Sequence, residues 1–156
     1  FCAHELYIIG GGHCGRALSE FAAKCDFNVT VIDDRKDCAT NDLHPYATKL
    51  VCTPYAGIEQ HIDFSSSPFI VIMTQGHKHD ELAMRKILGK PYKYLGVIGS
   101  KKKSAIIFDR LLKDGYARDE LQRVFMPIGL SIGSQTPYEV AVSILAQLLA
   151  VKAGIN

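Results

Sequence analysis

A doubly wound α/β domain on a parallel sheet is what this sequence predicts, and three features carry the prediction. Apolar runs of strand length alternate with stretches of helical spacing; several runs are continuously apolar, as strands covered on both faces are; and a glycine-rich turn joins the first run to the first helical stretch. With right-handed crossovers, six strands in the order 3-2-1-4-5-6 are expected.

The expected strands are Leu6 to Gly10, Asn28 to Ile32, Lys49 to Thr53, Phe69 to Thr74, Tyr94 to Gly99 and Arg123 to Pro127. Between them, Gly12 to Lys24 puts Ala17, Leu18, Phe21 and Ala22 on one stripe, and His79 to Leu88 does the same with Leu82, Ala83, Ile87 and Leu88. Ser100 to Lys113 turns Ile106, Ile107, Leu111 and Leu112 inward and stops at Gly115. The last helix announces itself by a capping box: Thr136 as cap, Pro137 at the first helical position and Glu139 three residues after the cap. Ser65 to Pro68 reads as a short loop, and Asp33 to Pro45 as a long polar connection.

Composition sets the bounds. At 156 residues, 47% hydrophobic and net charge +2, the chain is a folded domain and not a disordered tail. A chain of this length buries roughly 70% of its unfolded surface, enough for a core without disulfides. One domain over residues 1–156 is therefore expected. No apolar run reaches the roughly 20 residues of a membrane helix. The five cysteines (Cys2, Cys14, Cys25, Cys38 and Cys52) are odd in number and include no C-x-x-C pair, and the first ten residues do not read as a signal peptide. Reduced thiols in the cytoplasm are the expectation.

Charge is uneven. Residues 1–80 hold 6 Lys and Arg against 10 Asp and Glu, a net −4, whereas residues 81–156 hold 12 against 6, a net +6. No basic run exceeds Lys101 to Lys103, so a small anion fits better than a nucleic acid.

The chemistry concentrates where the first strand meets the first helix. In Gly10-x-Gly12-x-x-Gly15, Gly10 allows the tight turn, Gly12 lets the backbone approach a pyrophosphate and Gly15 lets helix and strand pack closely. The helix start offers free N–H groups to an anion. Asp33, at the end of the second strand, stands where a carboxylate would bind ribose hydroxyls and favour NAD over NADP, a preference that Arg35 weakens. His13 and Arg16 are cations at the positive end of a helix dipole, which points to a bound anion, although Arg16 could equally swing to solvent and His13 serve the turn. Cys14 has two readings, a nucleophile or soft ligand with a lowered pKa and a small core residue, and the core reading is preferred.

A second anion contact is expected at Gly99, Ser100 and Lys101, where the fifth strand runs into a helix that begins with three lysines. His77, His79 and Asp80 lie close in sequence, but nothing fixes three ligands on one face. A structural loop and helix cap is the expected role, and no metal or catalytic residue is assigned.

Together these stretches resemble a known family. GGGHCGRAL over 10–18, VIDDR over 31–35, Met73-Thr74 with His79-Asp80, YLGVIGS over 94–100, PIGL over 127–130 with Ile132-Gly133, and PYEVAVS over 137–143 are similar to the C-terminal Rossmann domain of the xanthine dehydrogenase accessory (XdhC/CoxI) family. The resemblance spans nearly the whole chain. It implies a maturation factor that binds the molybdenum cofactor during sulfuration by a cysteine desulfurase and delivers it to an apo molybdenum hydroxylase. It also implies that full-length members carry a further N-terminal domain. On this reading Gly10, Gly12, His13, Gly15 and Arg16 hold the phosphate, Asp33 meets a ribose or pterin edge, and the chain forms a homo-oligomer without binding nucleic acid or membrane. The alternatives are a small NAD(P)-dependent oxidoreductase, against which stands the lack of an evident acid, base and nucleophile set, and a nucleotide-sensing regulatory module.

Overall fold

The computed structural model describes residues 4–155; Cys2, counted above among the reduced thiols, lies outside them. Five strands, β1 (His4–Ile9), β2 (Phe27–Asp33), β3 (Lys49–Cys52), β4 (Phe69–Ile72) and β5 (Tyr94–Val97), form one parallel sheet in the order β3-β2-β1-β4-β5. The expected strand order holds for these five.

The sixth strand is corrected to a single bridge. Phe125 pairs with Gly96 beside β5, exchanging N–H···O bonds with Leu95 and Val97 at 2.9 Å, and Ile128 donates to the Val97 carbonyl. Pro127 between them has no N–H to donate, so the ladder does not extend into a strand.

Side-chain alternation along β1 divides the core. Leu6 and Ile8 face α1 (His13–Lys24) and its neighbour, the last helix (Pro137–Lys152), meeting Leu18, Ala22, Ala141, Ile144 and Leu148. Tyr7 and Ile9 face the other side, where α2 (His77–Ile87) contributes Ala83, Met84 and Ile87 and α3 (Lys101–Lys113) contributes Ile107 and Leu111. Both faces are covered, which is why β1, β4 and β5 read as near-continuous apolar runs. Each fully buried Leu or Ile contributes about 1.5–3 kcal/mol.

Three elements had no clear sequence signal: 3-10 turns over Tyr55–His61 and Phe64–Ser66, and a short helix α4 (Arg118–Arg123), which makes the last helix α5. Tyr55 and Ile58 of the first turn are buried against the α2 side of the sheet, so that turn stands where a longer crossover helix would. The Ser100 and Thr136 caps are as expected. Ser100 Oγ accepts the Lys103 N–H at 3.2 Å, and Thr136 Oγ1 accepts that of Glu139 at 3.1 Å. No helix among the described residues is long and apolar enough to cross a membrane.

Candidate anion site at the sheet switch point

Sheet order reverses between β1 and β4, and the loops leaving these strands diverge there to open a crevice. One wall is the glycine loop. Gly10, at φ +116°, presses so closely on Met73 in the β4 loop that a Cβ there would overlap the Met73 carbonyl; at Gly15 a Cβ would overlap the carbonyl of Gly10. These two glycines are needed for the fold. Gly12 differs: its backbone is extended, nothing lies within 4 Å of where its Cβ would be, and as the α1 cap it offers no side-chain bond to the first-turn N–H groups. Open space and free donors coincide at Gly12.

The Gly11 N–H donates at 2.6 Å to Asp33 Oδ2. Asp33 is fully buried, and Arg35 takes the rest of its lone pairs: the Arg35 N–H and Nε donate to Oδ1 and Nη2 to Oδ2, each at 2.9 Å. Burial alone would raise this carboxyl's pKa, but hydrogen bonds from Arg35 and the Gly11 N–H outweigh it and hold the group below the usual carboxylate range. Asp33 therefore positions the loop, and the group it presents outward is the guanidinium of Arg35.

The polar connection after β2 folds over the loop through His44, a fully buried residue. Its Nε2 lies 3.1 Å from the Gly11 carbonyl and 2.9 Å from that of Cys38; since both partners are acceptors, Nε2 carries the proton and Nδ1 is left without a partner. Desolvation lowers its pKa against the raising effect of the two carbonyls.

The result is a cleft of about 170 Å³ bounded by Gly11 and Gly12 on the loop, His13 and Arg16 on α1, Arg35, Cys38 and Leu43 on the polar connection, and Gln75 after β4. Of the expected residues, the structure brings Gly12, His13 and Arg16 to the cleft, with Gly10 and Gly15 shaping it from behind and Asp33 beneath it. Arg16 is exposed and has no carboxylate partner among the described residues. Cys14 is half-buried against the α1–α5 core, and burial raises its pKa, opposite to the lowering expected at a helix start.

Gly99, Ser100 and Lys101 are not brought to this cleft. Gly99 borders a depression with Leu130 and Ile132, whereas Lys101 borders another with Phe108 and Pro127. His77 and His79 are exposed on the first turn of α2, whose cap is Gly76 and not one of the residues 77–80. Asp80 instead is buried and accepts from Thr74 N (2.9 Å) and Oγ1 (2.6 Å), bracing the β4 loop. Among the described residues no three His, Cys, Asp or Glu side chains converge as metal ligands. Cys38, Leu43 and Gln75 were not legible as site residues because only folding brings their loops to α1.

Known proteins resemble the chain in sequence and fold. The model of the XdhC Rossmann domain matches residues 6–148. The chain is 31% identical over 149 residues to the YqeB protein of Escherichia coli (strain K12), covering 95% of this chain and 27% of that protein. It is 27% identical over 145 residues to a probable xanthine dehydrogenase subunit of Bacillus subtilis (strain 168), covering 93% and 42%. A crystal structure described as a xanthine dehydrogenase from Bacillus halodurans superposes with TM-score 0.85 at 28% identity, over 99% of this chain and 44% of that one. The chain thus spans less than half the length of these relatives. Sequence match and fold agree that this chain belongs to the XdhC Rossmann-domain family.

Proposed function

We propose that the domain serves a molybdenum hydroxylase of xanthine dehydrogenase type as a non-catalytic accessory factor, holding the phosphate end of the molybdenum cofactor at the glycine loop. The observation that carries the reading is the space at Gly12, open to a ligand and ringed by first-turn N–H groups, Arg16 and Arg35. The unpaired charge of Arg16 and a helix start suit a phosphate, to which Arg35, its own charge met by Asp33, adds a donor. At about 170 Å³ the cleft is smaller than the roughly 300–1,000 Å³ of sites that enclose a whole ligand, so it would grip one end of a cofactor and leave the rest accessible for hand-over. When bound, the cofactor supplies the molybdenum centre of the hydroxylase; this chain's residues bind and orient it.

In this reading Gly12, His13 and Arg16 form the grip, on a loop whose shape Gly10 and Gly15 set. Asp33 meets a ribose or pterin edge only when Arg35 turns aside. Gly99, Ser100 and Lys101 would add a surface contact. A cysteine desulfurase and the apo hydroxylase would be the partners, met in the cytoplasm.

The test is to purify the protein from a host that makes molybdenum cofactor, denature it, and identify released small molecules by mass spectrometry with metal analysis. Pterin with molybdenum, lost in Gly12→Val, supports the reading. NAD(P) without pterin would replace it with the dinucleotide alternative.

A further inference from the structure

A second cavity, of about 640 Å³, lies between α2 and α3, and it falls within the range of small-molecule sites. Its apolar floor is Ile106 and Ile107. Ile107 is buried, but Ile106 is 48% exposed, an apolar surface left open within one helical turn of Lys103. Its rim is cationic: Lys103 and Lys78 have no carboxylate partner among the described residues. The carboxylate on its wall, Glu81, is already neutralised on both oxygens, Oε1 by Arg110 Nη1 at 2.7 Å and Oε2 by Arg85. The first turn of α2 opens into the same space without a capping side chain, because Gly76 has none and Asp80 is committed to Thr74.

We propose that this cavity binds a planar aromatic phosphate, its ring over Ile106 and Ile107 and its phosphate between Lys103 and the first turn of α2. Two unpaired lysines match the charge of a phosphate dianion, and the floor rewards an apolar ring where a bare ion would gain nothing. The site is separate from the glycine-loop cleft and stands whether or not that cleft holds a cofactor.

The probe is 1-naphthyl phosphate, titrated into the protein labelled for amide and isoleucine-methyl NMR. Saturable shifts are expected at the amides of His77, Lys78 and His79 and the methyls of Ile106 and Ile107. Binding should weaken about tenfold in Lys103→Ala and in Ile106→Ser, both exposed positions, and 2-naphthol or inorganic phosphate alone should bind at least about tenfold more weakly. Gly12→Val, which closes the glycine-loop cleft, should leave these shifts in place. Shifts centred on residues 10–16, affinity unmoved by either α3 substitution, or no saturable shift in the millimolar range overturns the proposal.

Discussion

Asp33 Oδ2 accepts the Gly11 N–H at 2.6 Å across 22 residues, so the end of β2 fixes the loop that leaves β1. The same carboxylate holds Arg35 at the cleft. A residue positioned by type and place to meet a ribose is here the anchor of the loop and of the cation beside it.

Asp33→Ala removes the acceptor of two backbone N–H groups and frees Arg35. Loss of a buried hydrogen-bonded charge costs several kcal/mol, but Arg35 reaches solvent, so about 2 kcal/mol is expected, with Asp33→Asn roughly half as severe. Urea unfolding measures both. Because the folded carboxyl sits below its ordinary pKa, its contribution is full above about pH 4 and lost as pH falls through the folded value. An Ala variant as stable as wild type at pH 7 would show that the loop does not depend on this bond.

Two of the three fingerprint glycines separate by experiment. Gly15→Ala drives a methyl into the Gly10 carbonyl and should cost about 2 kcal/mol, a fall of roughly 4–8 °C in Tm for a chain this size. Gly12→Asp meets open space with cap-compatible backbone, so Tm should hold or rise, while its charge repels an anion. Thermal melts with cofactor retention check the pair; a destabilised Gly12→Asp would mean that Gly12 too is structural.

What the sequence disclosed followed from local rules. The strands of β1, β4 and β5 were legible because burial on both faces leaves long apolar runs, and the Thr136 and Ser100 caps because capping is a spacing rule. Arg123 to Pro127 is apolar enough to read as a sixth strand, and only Pro127 argues against a ladder. At the site, Gly12 and Arg16 were legible from the loop itself. His44, Cys38 and Gln75 were not, because no period links them to Gly11; they arrive through the fold of the polar connection and the β4 loop. Asp33 is legible from its place at the end of β2, whereas its pairing with the Arg35 side chain two residues on is not, because spacing alone does not say where a guanidinium turns.

Gln147 on α5 accepts from two directions, Tyr94 Oη on β5 and the Gly129 N–H, both through Oε1. It thereby ties the stretch after Pro127 to the sheet in place of the missing ladder. Gln147→Leu should cost about 2 kcal/mol by leaving both donors unpaired, and Gln147→Glu, which keeps the acceptors, distinctly less. Hydrogen exchange reads the same event locally: the Gly129 amide should exchange much faster in the Leu variant, and unchanged protection would assign the cost to packing alone.

His44 makes the glycine loop sensitive to pH in a calculable direction. Its neutral ring donates from Nε2 to the carbonyls of Gly11 and Cys38, and Nδ1 is buried without a partner, so protonation would place a charge and an unmatched N–H inside the domain. Burial lowers its pKa below the ordinary value of about 6.5. Above that value both folded and unfolded states are neutral and stability is unaffected. Below it the unfolded chain binds the proton first, so stability falls with pH until the folded pKa is passed. His44→Gln keeps a donor for the two carbonyls and cannot titrate. Urea midpoints at pH 7.5 and pH 5.5 should therefore fall further in wild type than in the Gln variant. An equal fall in both would assign the slope elsewhere, first to His4, whose pKa is lowered by burial and by Lys152 and Lys93.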